Sequence, residues 1–168
     1  MDTNFLTQEI KQAIENSDQS KLESLLASEP SQINGTTAFG NWLYFAVSFN
    51  ASMDIIKFLV EKGVDINEKD PILGGNVLNI AASEGRIDVV NYLLEKGAEI
   101  DISEPEKNPL FGAIYGGHKD IVEVLIAEKI DFKIKYSGDN MNNMDALAFA
   151  KERGQTEIAE MLFVLYGL

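Results

Sequence analysis

Few residues in this chain have the types and spacing to do chemistry. His118 is the one histidine and there is no cysteine, so a Ser/His/Asp arrangement would have to run through a single imidazole. That histidine follows Gly117 at a turn, where the simpler reading is a ring bonded to nearby backbone. Asp139-Asn140-Met141-Asn142-Asn143 has the composition of a calcium loop, but Met141 falls where an oxygen ligand is needed. The pairs Gly74-Gly75 and Gly116-Gly117 lack the flanking pattern of a phosphate-binding loop and read as turns. Asp54, Asp88, Asp120 and Glu157 recur at steps of 34, 32 and 37 residues, each just before an apolar stripe. An acid at that place stabilises a helix N-terminus through its charge. No catalytic, cofactor-binding or metal-binding set emerges, and the expectation is a non-enzymatic protein without cofactors.

The stripes behind those acids are helical. Between Gly75 and Asp101, Leu78, Ala81 and Ala82 fall on one face of a first short helix. Val89, Val90, Leu93 and Leu94 fall on one face of a second. Gly85 separates the two and Gly97 closes the second, both as helix stops. Neither helix is long enough to be stable alone. The pattern repeats at 42–67, 109–132 and 146–163. Leu43, Leu78, Leu110 and Leu147 share one position, and Ala46, Ala81, Ala113 and Ala150 share the next, three residues on. Residues 5–34 read as a degenerate first copy, with Ile10 and Ala13 at those two positions and Ser20 as a candidate cap.

Two helices and a turn at this period, with Asn108-Pro109-Leu110-Phe111 standing near the T-P-L-H mark, resemble the ankyrin repeat family. The resemblance implies an all-α, ankyrin-like solenoid of about five helix-turn-helix repeats joined by hairpin-like loops. The chain 1–168 would form a single domain, with repeats near 5–34, 35–67, 68–101, 102–132 and 133–168. Asn50 and Lys129 stand where other copies have glycine. Of the connections, 34–41 suits a tight turn or hairpin. In the stretch 132–145, Phe132, Ile134 and Tyr136 alternate as a short strand would, with 137–140 as its turn. Residues 158–168 are apolar almost all round. Phe163, Val164, Leu165, Tyr166 and Leu168 either fold back to cover the last repeat or form an exposed patch for a partner or a second copy.

Composition narrows the function. One domain suits the length, and an apolar content of 45% argues against disorder. No apolar run reaches the roughly 18 residues of a membrane span, and the polar, acidic start is unlike a signal peptide. Together with the missing cysteines this reads most simply as cytoplasmic. The net charge is −13, which repels nucleic-acid backbones and anionic membranes and attracts a basic partner. It also serves solubility.

The resemblance further implies that the connections and the ends of the first helices make the binding surface. Carried over by position, these are Ile72, Leu73 and Gly75; Glu104, Pro105 and Lys107; Met141, Asn142 and Met144; and, on the helices, Phe49, Glu84, Tyr115, Glu152 and Arg153. Phe49, Ile72, Leu73, Tyr115 and Met141 are apolar at positions expected to face water, as partner anchors or as packing on neighbouring loops. Glu68, Asp70, Glu104 and Glu106 supply negative charge beside them. The expected function is a protein–protein interaction module: an acidic binder or immunity-type inhibitor of a basic protein effector, or else an adaptor joining two proteins. A monomer is expected, with dimerisation through the apolar C-terminal helix as the alternative.

Overall fold

Ten α-helices form among the described residues, and the longest has 13 residues. The structure is a computed structural model that describes residues 3–38, 40–138 and 141–167. Leu168, Asp139 and Asn140, which figure in the sequence expectations above, lie outside the described residues. The chain divides into two compact units, Met1–Val77 and Leu78–Leu168.

In the first unit, α1 (Thr3–Glu15) and α2 (Gln19–Ser28) pack together, as do α3 (Trp42–Ser48) and α4 (Met53–Glu61). Asp18, not Ser20, caps α2: its carboxylate accepts from the Lys21 amide at 3.0 Å. Asp18 stands at the N-cap position itself, where a short side chain reaches the third helical amide, while Ser20 is already inside the helix. A 3₁₀ turn (Pro30–Asn34) follows, then a two-stranded hairpin of β1 (Thr36–Thr37) and β2 (Gly40–Asn41) with Thr36 opposite Asn41. Trp42 is wholly buried and donates from Nε1 to the Gln32 carbonyl at 2.7 Å. Ile10, Ile14, Leu22, Leu43, Ala46, Ile55, Ile56 and Leu59 are all buried as the core of this unit.

The second unit holds α5 (Val77–Ser83, which begins at the unit boundary), α6 (Ile87–Glu95), α7 (Pro109–Gly116), α8 (Lys119–Ala127), α9 (Ala146–Glu152) and α10 (Thr156–Tyr166). Leu78, Leu110, Ala81, Ala113 and Ala150 have no exposed surface, and Leu147 is nearly as deep. Phe111 stacks on Phe149 at 4.9 Å between ring centroids and meets Tyr136 edge-on at 5.0 Å. Between α8 and α9 lies a second hairpin, β3 (Tyr136–Gly138) against β4 (Met141–Met144), pairing Tyr136 with Met144 and Gly138 with Met141. Phe132 and Ile134 stand outside it, so the strand is shorter than the alternation predicts. Among the described residues the first and fourth connections form strand ladders. The second and third, 65–76 and 101–108, are turns held by side chains, so the connections are not uniformly hairpins.

The irregular residues take the geometry of the glycines they replace. Between paired helices, Ser17, Asn50, Gly85, Gly117 and Gly154 all have positive φ, from 53° to 77°. Lys129, at 62°, follows α8 as Gly63 and Gly97 follow α4 and α6. Asn tolerates this left-handed region by local hydrogen bonding. For Lys129 the neighbouring bonds hold it: its amide donates to Ile126 O and the Ile130 amide to Leu125 O. Asp54, Asp88, Asp120 and Glu157 all sit in first turns, two positions after the N-cap residue, and Asp120 Oδ1 also accepts from the Ile121 amide at 2.9 Å. They act through charge on the helix dipole.

Two expected outcomes follow from this packing. Ala113→Asp, or Ala81→Asp, places an unpaired carboxylate where no surface is exposed. It should cost more than about 4 kcal/mol and abolish the helical circular dichroism signal. The tyrosines give a pH dependence. Burial pushes the Tyr136 hydroxyl above its usual range, and nearby acids add to this while the Asn108 bond opposes it. Burial, followed by the Asp145 carboxylate, does the same to Tyr166. A hydroxyl whose folded value is raised contributes stability that is present below its unfolded value, about 10, and is lost as the pH climbs through the folded value. Urea melts between about pH 8 and 11 should show this decline. Tyr136→Phe should reduce its slope and cost about 1–3 kcal/mol at neutral pH, since Asn108 loses its acceptor.

Candidate interaction surface

In the first unit the exposed loop residues are set by Asp70. Its Oδ1 accepts from the amides of Ile72 at 2.9 Å and Leu73 at 2.8 Å. Its backbone N–H donates to Gly75 O at 2.8 Å, and its carbonyl accepts from Gly74 at 3.1 Å. Pro71 cannot donate an amide bond, so the chain turns on this one carboxylate. Ile72 and Leu73 stand outward, 67% and 58% exposed. Asp70 itself is only 5% exposed, against the expectation that it faces a partner; two amides draw one oxygen inward, and Oδ2 is buried without a hydrogen-bond partner. Glu68 is half-buried, accepting from Asn41 Nδ2 at 3.2 Å. The same Asn41 nitrogen donates to Asp65 O at 2.8 Å, while its Oδ1 caps α3. Phe49 is partly exposed at the end of α3 and stacks on Phe45 at 4.3 Å.

The second unit repeats the device. Asn108 is wholly buried and caps α7 through Leu110 N, while its Nδ2 donates to the Tyr136 hydroxyl at 3.0 Å. That hydroxyl donates to Ile102 O at 2.7 Å, which ties the third connection to the fourth. Glu104 is exposed and pairs with Lys107 at 2.8 Å. The Glu104 bond holds the Lys107 ammonium above its ordinary range. Glu84 and Glu106 are exposed, and Met141 is half-exposed on β4. Tyr115, at the end of α7, is 61% exposed with the Arg153 guanidinium 4.9 Å from its ring centroid. His118 Nε2 donates to Ser83 O at 3.0 Å, its ring filling the space that a side chain at Gly85 or Gly116 would need. This makes it a structural residue of the turn.

The C-terminal helix runs straight on rather than folding back. Ile158, Ala159 and Leu162 are buried, and Tyr166 donates to Phe132 O at 3.1 Å. Phe163, Val164 and Leu165 remain exposed. Lys151, Thr156, Ala159, Glu160, Phe163 and Val164 line a shallow cleft of about 460 Å³ beside them. Among the described residues no group of His, Asp or Glu is placed to hold a metal ion, and no helix is long and apolar enough to cross a membrane.

Residues 10–104 match the family model for ankyrin repeats in three copies. The chain belongs to the ankyrin repeat family. Beyond the matched stretch the ankyrin-type Leu/Ala pair continues at Leu110 and Ala113 and at Leu147 and Ala150. No curated protein matches the sequence significantly. Ankyrin repeats indicate a protein–protein interaction module, which agrees with exposed apolar side chains on turns held by caps. Asn108 is legible in the sequence as an N-cap in place of threonine, whereas the caps Asn41 and Asp145 were missed there. Their shared signal is an Asn or Asp two residues before the repeated leucine.

If Asp70 holds the outward turn, Asp70→Ala should release it. Hydrogen exchange at the Ile72 and Leu73 amides should quicken by about tenfold, the equivalent of roughly 1.4 kcal/mol, with exchange in α3 and α4 unchanged. Unchanged protection at both amides would show that the backbone alone sets the turn.

Proposed function

We propose that this chain is a non-enzymatic binder of a basic protein, acting in the manner of an inhibitor or immunity-type protein in the cytoplasm. The observation that carries the reading is the Asp70 turn, which presents Ile72 and Leu73 side by side to solvent in a strongly acidic chain. Preorganised apolar anchors lose little conformational entropy on binding. Phe49, Tyr115 and Met141 are further apolar contacts, and Glu68, Glu84, Glu104 and Glu106 supply the field that draws in a cationic surface. Asp70 belongs to the loop's support, not to its contact face. Residues 1–168 act together as one ankyrin domain of about five repeats, and the protein is monomeric.

A second reading, an adaptor joining two proteins, is favoured by the apolar residues Phe163, Val164 and Leu165 on α10, which offer a contact surface on other elements than the acidic turns.

The test uses a basic partner recovered by affinity capture from the native cell, purified and measured by surface kinetics. Changing Glu68, Glu104 and Glu106 together to Gln should slow association and flatten its salt dependence. Ile72→Ala with Leu73→Ala should instead speed dissociation, by an amount on the order of 1–3 kcal/mol. A charge variant that associates at the wild-type rate in low salt would reduce the acidity to a matter of solubility and overturn the basic-partner reading.

A further inference from the structure

The chain has two arginines among 14 basic residues, and their surroundings differ. Arg86 pairs with Asp88 at 3.3 Å. Arg153, exposed at the end of α9, pairs with no carboxylate among the described residues. Most of the lysines likewise pair with none there, so what sets Arg153 apart is its planar head group and the surface on which it lies. Its guanidinium lies instead over two rings, 4.9 Å from the Tyr115 centroid and 5.1 Å from that of Phe149. Phe149 is buried and stacked on Phe111, so the cation rests on an aromatic column rooted in the core.

This arrangement has a chemical consequence. Stacking covers the flat face of a guanidinium and leaves its N–H edge for an acceptor. The two ring contacts restrict the side chain, so less rotamer entropy remains to be lost when that acceptor arrives. The next residue, Gly154, is exposed, and a side chain there would meet nothing. The acceptor that matches a guanidinium edge with two parallel bonds is a carboxylate or a phosphate. The net charge of −13 weighs against a dianion, which leaves the singly charged carboxylate.

We propose that Arg153, lying over the Tyr115 ring, receives an Asp or Glu side chain of the protein partner and so sets the register of the complex. This rests on the reading of the chain as a protein-binding module. The acidic turns then draw the partner in by its overall charge, and Arg153 selects among basic surfaces the one with a carboxylate at the matching place.

The probe is a displayed library of lysine-bearing peptides, each fused at its C-terminus so that only side-chain carboxylates are present. Binders selected on the wild type should share an Asp or Glu at one position. Amidating that residue to Asn or Gln should weaken binding by about tenfold on the wild type and by less than about twofold on Arg153→Gln. Arg153→Lys should recover only part of the difference, because an ammonium cannot make the parallel bonds. Circular dichroism of the variants shows whether they fold. Binders without an acidic position, or an acid that matters equally on Arg153→Gln, overturn the proposal while leaving the binding function intact. A library that yields no binder on the wild type counts against both.

Discussion

A helix of seven residues has almost no stability of its own in water, because nucleation costs more than one or two turns of hydrogen bonds return. α3, α5 and α9 are each that short. Everything else in the structure depends on the one means left to them, the burial of a narrow stripe against neighbouring elements. Leu43 and Ala46, Leu78 and Ala81, and Leu110 and Ala113 are without exposed surface. The alanine matters for its size, since a larger side chain would force the backbones apart and loosen the contacts on either side.

Short helices also need sharp reversals, and these are made by left-handed residues. Glycine takes that geometry without steric cost. At Ser17, Asn50 and Lys129 the chain adopts it with a side chain attached, at a strain of order 1–3 kcal/mol each. The strain persists because the helices on both sides are already committed by burial. The turn then serves the packing, and the residue at its apex is freer to vary than the stripe that dictates it.

The connections obey a different constraint. With little core of their own, they are positioned by polar side chains that satisfy backbone groups. Asn41 and Asn108 each cap a first helix with the oxygen and reach a connection with the nitrogen. Asp70 turns the chain so that two aliphatic residues point outward. A rigid support that holds exposed apolar side chains at its rim suits recognition of a partner surface. The Arg153 column carries the same logic further, with a buried aromatic pair placing a charge at the surface.

The stripe and its period were legible without any structure. Leu and Ala three residues apart, repeated in register, can satisfy only a helix with one buried face, so the helix pairs and the core positions follow from spacing alone. So does the family. The site was less legible. Glu68 and Asp70 look like two equal surface acids in the sequence, yet one is half-buried against Asn41 and the other is drawn inward by two amides. Tyr115 reads as a lone exposed aromatic, and its pairing with Arg153, 38 positions away, does not. Sequence by itself determined which residues must leave water, because periodicity records burial. Tertiary structure decided which polar side chains became supports and which stayed free, because hydrogen bonds and stacking depend on distances between residues remote along the chain.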